Sequence, residues 1–222
     1  MGYAAHVFSG GGYRDPSVKR LYGWKNPMLR THYWRRTRND WPVTTFRFMA
    51  EMNLMRGERG FARMGGDSFP VLEDKRGRVV GSLPARYLKS FWNNLNIEIH
   101  LIVRGEKGPV ATARLEAMRE GIEHCEARIF IEQALTDEDL RKKLGDDLAA
   151  RCQEVLDERA RAVRLALCTY VASGHYQDWA TASSWQAPAV FGSHWYTASG
   201  WEERSKTLFD TAAEVASKLG LK

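Results

Sequence analysis

A chain of 222 residues that is 44% hydrophobic and 27% charged can bury a substantial core, which excludes wholesale disorder. No apolar run approaches the roughly 18 residues that cross a bilayer, and Met1 to Phe8 has neither a basic n-region nor a long apolar h-region, so neither a membrane span nor a signal peptide is expected within it. The net charge of +6 is uneven: residues 1 to 110 carry 19 Lys and Arg against 9 Asp and Glu, and residues 111 to 222 carry 14 against 18.

A basic front half can mark an anionic partner, but pairing of those arginines with carboxylates from elsewhere in the fold is the plainer reading. Three cysteines, Cys125, Cys152 and Cys168, are an odd number without C-x-x-C spacing, in helical patterns where a small apolar residue would serve. Neither a disulfide framework nor a zinc site is expected, and no cofactor.

In chain order, Tyr3 to Phe8 reads as a buried strand meeting the glycine-rich turn Ser9 to Pro16. A strand with nothing before it is unusual for a self-contained domain, and we read it as a sign of truncation. Phe46, Ala50 and Leu54 recur at helical spacing within Val43 to Met55, with a charged opposite face. Phe61 to Met64 reads as a strand running into Gly65 to Pro70, and Glu73 to Arg78 as a charged turn. Asn94 to Val103 alternates apolar and polar residues, the period of a strand, and Arg104 to Pro109 is the loop that ends it.

Long helices follow. Ala111, Leu115, Met118, Ile122, Cys125 and Ile129 form one apolar stripe, with Arg119 to Glu123 and Arg128 to Glu132 as ion pairs on the wet side. Thr136 with Asp139, and Ser199 with Glu202, have the spacing of capping boxes. A further helix headed by Leu148, Cys152 and Val155 should end near Gly174. Residues 175 to 200 are irregular and aromatic, and Leu208, Ala212, Val215 and Leu219 stripe a last helix before Gly220.

Strands followed by glycine-rich loops and helices point to an α/β architecture with a helical tail. A closed (β/α)₈ barrel needs eight units and typically about 250 residues, and only about three units fit before residue 135. The expected fold is therefore the C-terminal portion of a (β/α)₈ (TIM) barrel over residues 1 to 134, with a helical extension over 135 to 222.

The chemistry-bearing motifs are few. Gly10-Gly11-Gly12 follows a strand, but Asp15 stands where G-x-G-x-x-G needs its third glycine and no GK[ST] follows, so a nucleotide loop is disfavoured. Neither H-E-x-x-H nor G-x-S-x-G occurs. Arg30 to Trp41 interleaves cations with rings, a mixture used for single strands of nucleic acid but equally for sugar rings and packed interfaces. Asp67, between Gly66 and Ser68 just beyond a strand, lies where barrels place functional groups, although it could instead order its own turn. Glu98 and His100 share a strand face, as an acid/base pair or a satisfied buried network.

From Gly105 to Glu123, a Gly108-Pro109 turn followed by Arg114-Leu115-Glu116-Ala117-Met118-Arg119-Glu120-Gly121-Ile122-Glu123, the chain resembles the last barrel loop and helix of glycoside hydrolase family 123 and related planctomycete-type proteins. The specific likeness covers about twenty residues. It implies a barrel glycosidase acting on N-acetylhexosamine-containing glycans. In that family an adjacent Asp-Glu pair on a middle strand supplies the general acid and orients the acetamido group that attacks the anomeric carbon. No residue of this chain matches that pair, so the chain alone is expected to be inactive. Tyr13, Arg14, Trp34, Asp67 and Arg104 occupy barrel-end positions and are the expected sugar contacts; Arg114, Glu116 and Arg119 match the family helix as packing and ion-pairing residues.

Carbohydrate is the expected partner, with a second copy or the rest of a longer barrel covering open edges. The alternatives are a non-catalytic carbohydrate-binding or scaffold module and, less favoured, a basic nucleic-acid-binding protein.

Overall fold

The computed structural model describes residues 4–7, 22–25, 27, 30–33, 43–55, 57, 59–62, 70–82, 101–172 and 198–221. Three short parallel strands, β1 (Ala4–Val7), β2 (Arg30–Tyr33) and β3 (Gly60–Ala62), lie side by side in the order β1-β2-β3. His6 is in register with His32, and His32 with Phe61. Between β2 and β3 the chain forms α1 (Val43–Met55), a β-α-β connection of the kind parallel strands require. A 3₁₀ turn, Gly23–Lys25, precedes β2. The three expected core positions of α1 hold: Phe46 is fully buried, and Ala50 and Leu54 nearly so. Its other face is not solvated as its charge suggests, because Glu51 and Asn53 are also buried.

Among the described residues two hairpins follow. In β4 (Pro70–Glu73) and β5 (Val79–Ser82) the charged turn forms as its residues predict. The Asp74 carboxylate accepts the backbone N–H groups of Arg76 at 2.8 Å and Arg78 at 3.0 Å, and Gly77 takes the left-handed conformation that closes the turn. The segment expected to be a loop, Arg104 to Pro109, is instead the tip of a second hairpin. Arg104 and Gly105 end β6 (Ile102–Gly105), Gly108 and Pro109 begin β7 (Gly108–Ala111), and only Glu106 and Lys107 turn between them. Of the expected strand Asn94 to Val103, Ile102 and Val103 lie in β6; residues 94 to 100 are outside the described residues.

Among the described residues four further helices follow: α2 (Ala113–Thr136), α3 (Glu138–Leu144), α4 (Asp146–Ala172) and α5 (Trp201–Lys218). Thr112 starts α2 and ties it to the hairpin. Its hydroxyl donates to the Leu101 carbonyl at 2.9 Å and accepts from the Leu115 N–H at 3.4 Å. Both expected capping boxes are corrected. Thr136 is the last residue of α2, and the cap of α3 is Asp137, which accepts the N–H groups of Asp139 and Leu140 at 3.0 and 2.9 Å. A carboxylate one residue later reaches two orphan donors that the Thr136 hydroxyl, turned back toward the Gln133 carbonyl, does not. At α5 the cap is Gly200 with no side-chain bond, because the Ser199 oxygens accept from Arg204 instead.

A hydrophobic core lies among these four helices: Ile131, Leu144, Leu148, Cys152, Leu208 and Val215 are buried together, with Ala212 and Leu219 packed against them as the last-helix stripe requires. α2 runs through residues 134 and 135, and Ala134 belongs to this core. Three parallel strands in sequential order are present; no closed barrel is formed among the described residues. No described helix is long and apolar enough to cross a membrane.

Candidate functional site

The largest departure from the sequence pattern is on α2. The expected apolar stripe faces inward only in part: Cys125 is buried and Ile129 packs beside it against Ala50 and Leu54, but Ile122 is 41% exposed, and His124, Arg128 and Glu132 are buried next to them. Arg128 to Glu132 is indeed an i, i+4 pair, at 2.7 Å, but on the dry side of the helix. The reason lies far away in sequence. Arg128 also donates to Glu51 of α1 at 3.0 Å, and Arg159 of α4 donates through Nε to both Glu51 oxygens at 2.7 and 2.8 Å. The Trp24 indole N–H, from the 3₁₀ turn, donates to the other Glu132 oxygen at 2.8 Å. Two carboxylates and two guanidiniums from three helices thus form a neutral chain, Trp24–Glu132–Arg128–Glu51–Arg159. Each charge is offset by an adjacent opposite one, the condition under which burial is tolerated.

The electrostatics follow from this arrangement. Burial alone would push the Glu51 carboxyl up, but the Arg159 and Arg128 guanidiniums overcome it and hold the group below the ordinary carboxylate range. Burial likewise opposes the charge on Arg128, and Glu51 and Glu132 reverse that effect. His124, one turn before Arg128 and in contact with the Phe209 ring at 5.4 Å between centroids, is pushed down to about 4 by burial and by the positive charge of Arg159. It is therefore neutral near pH 7. Burial and the nearby Glu51 raise the Cys125 thiol, which makes it a packing residue rather than a nucleophile.

A second junction lies at the other end of the α1–α2 contact. Arg47 donates to Glu120 at 2.5 Å, and its guanidinium lies 3.8 Å from the centroid of the Trp201 ring, the first residue of α5. Arg159 also borders an open groove of about 960 Å³ between α4 and α5, whose walls include Glu154, Asp157, Glu158, Glu203 and Arg204. Asp157 and Glu158 are adjacent carboxylates in this groove. Consecutive helical residues point about 100° apart, and Glu158 is held by Arg204 at 3.1 Å and Arg161 at 3.3 Å, so the two do not form a general-acid pair. Among the described residues no group of three or more His, Cys, Asp or Glu is placed to hold a metal ion.

Of the five residues expected to contact sugar, Tyr13, Arg14, Trp34 and Asp67 lie outside the described residues, as do Gly10 to Gly12, Glu98, His100 and the aromatic segment 175 to 197. Arg104 is on β6, exposed, next to a β7 strand exposed along its length. The expected surface pair of Arg119 with Glu123 stands at 3.9 Å, and Glu116 lies nearer to Arg119, at 2.7 Å. The buried cluster was missed in the sequence because its partners are 77 and 108 residues apart; the one local signal was the polar residues at every fourth position, Glu120, His124, Arg128 and Glu132.

In comparisons with known proteins, no family model, no curated protein and no solved structure matches the chain.

Proposed function

We propose that this chain is the scaffold and substrate-contact part of a glycoside-hydrolase-like barrel protein acting on N-acetylhexosamine-containing glycans, without the catalytic carboxylate pair. The supporting observation is the strand order. Parallel strands that follow one another β1-β2-β3, with α1 crossing from β2 to β3, are neighbours as successive barrel strands are; doubly wound sheets reverse their order at a switch point. The likeness at Gly105 to Glu123 adds to this reading, its Thr112-capped helix being α2. Arg104 and, by sequence position, Tyr13, Arg14, Trp34 and Asp67 would meet the glycan through ring stacking and hydroxyl hydrogen bonds.

The test is calorimetric titration of the purified chain with a short N-acetylhexosamine oligosaccharide at two salt concentrations, beside an aryl N-acetylhexosaminide hydrolysis assay. We expect weak saturable binding, unchanged by salt, lost in Trp34→Ala and Asp67→Ala, and no hydrolysis. Absence of saturable binding, or hydrolysis by this chain alone, would overturn the reading. A second reading, a scaffold module without sugar chemistry, is favoured by one observation: both buried carboxylates among the described residues are committed to guanidiniums. Nucleic-acid binding would instead appear as affinity falling steeply with salt, through counterion release.

A further inference from the structure

The charges between α1 and α2, buried at Glu51, Arg128 and Glu132 and partly exposed at Glu120, form a pattern with a direction. Along α1, Arg47 and Glu51 are one turn apart; along α2, Glu120, His124, Arg128 and Glu132 follow at the same spacing. Arg47 meets Glu120 and Glu51 meets Arg128, so the helices run parallel with opposite charges matched at both ends of the seam. The apolar contacts beside it, Ala50 and Leu54 with Cys125, Ile129 and Trp24, are non-directional and resist a slip through packing alone, whereas a charge also distinguishes the sign of its partner.

We propose that this charged seam sets the axial register of α1 on α2 and excludes the neighbouring one-turn slips. Sliding α1 one turn toward the C-terminus of α2 would bring Glu51 to Glu132 and Arg47 to His124. Sliding it the other way would bring Glu51 to His124 and leave Arg128 and Arg159 without the carboxylate they share. Either slip strands buried charge, which apolar packing does not offset. Gly121 reinforces the register. It is the one glycine of α2, and the α1 backbone at Arg47 fills the space its side chain would take. A buried polar contact that selects one register among several apolar ones has its counterpart in the polar core positions of coiled coils.

The experiment removes the charges together: Trp24→Phe, Glu51→Met, Arg128→Met, Glu132→Leu and Arg159→Met in the full chain, followed by circular dichroism and NMR. The expected result is retained helix content and a cooperative melt with an unlowered midpoint. Amide signals from α1 and α2 should double or broaden, and the cross-peaks joining Ala50 and Leu54 to Cys125 and Ile129 should weaken. One sharp set of signals with those cross-peaks intact would overturn the proposal. Loss of the folded state would overturn it too, since the charges would then supply stability rather than register. A second pair of variants reads the outer end of the seam: Arg47→Glu alone should double the signals, and R47E with E120R should restore one set. A single native set in R47E alone would count against the seam.

Discussion

The backbone carbonyl of Arg47 occupies the space in which a side chain on Gly121 would stand, so α1 and α2 touch there through main chain rather than side chains. A methyl group at this point meets a backbone atom in a helix, which cannot move away as a flexible side-chain end would. Gly121→Ala should therefore destabilise the protein by about 1–3 kcal/mol despite the better helix propensity of alanine. Urea denaturation of the variant against the parent checks this, and an unchanged or raised midpoint would show that the helices do not approach so closely.

Removing Glu51 leaves two buried guanidiniums facing each other. Glu51→Gln keeps the shape and deletes the charge, and it should cost about 3–5 kcal/mol, the range seen when one partner of a buried pair is lost. Glu116→Gln, which takes from the exposed Arg119 one of its two surface carboxylates, should cost under about 1 kcal/mol. Equal losses in the two variants would mean that the inner cluster is solvated.

Stability should fall in acid in two stages. His124 binds its proton at about 4 in the folded chain against an ordinary value of 6.5, so the unfolded chain takes up the proton first. Stability present above about pH 6.5 is thus lost progressively as pH falls toward 4, by an amount on the order of 3 kcal/mol. Glu51 is depressed as well, and its contribution is present above its ordinary value of 4.5 and lost as pH falls below that. Denaturation at pH 7 and pH 4.5 should show the first stage in the parent, and it should be absent in His124→Gln; a slope that survives that substitution would assign it to other groups.

The joint between α2 and α3 rests on one carboxylate. Asp137→Ala should cost about 1 kcal/mol through loss of the cap, whereas Thr136→Ala should change stability by only a few tenths. Thermal melts of the two variants decide between the caps, and the reverse order would restore the Thr136 capping box.

What the sequence determined by itself was local. The turn at Asp74 to Gly77, the apolar stripe of α5 and the core positions Phe46, Ala50 and Leu54 of α1 follow from contacts a few residues apart, and each is found where its pattern puts it. The caps were displaced by a single residue because neighbouring polar side chains compete for the same orphan N–H groups, and geometry chooses among them. Tertiary structure alone decided that the inward face of α2 carries Arg128 and Glu132 beside Cys125. Read in isolation, Arg128 and Glu132 belong in water; they are buried because Glu51, Arg159 and Trp24 arrive from other elements with the opposite charge or the missing donor. A charge is expensive to bury alone and tolerable when paired, so its location depends on partners that periodicity along one helix cannot display.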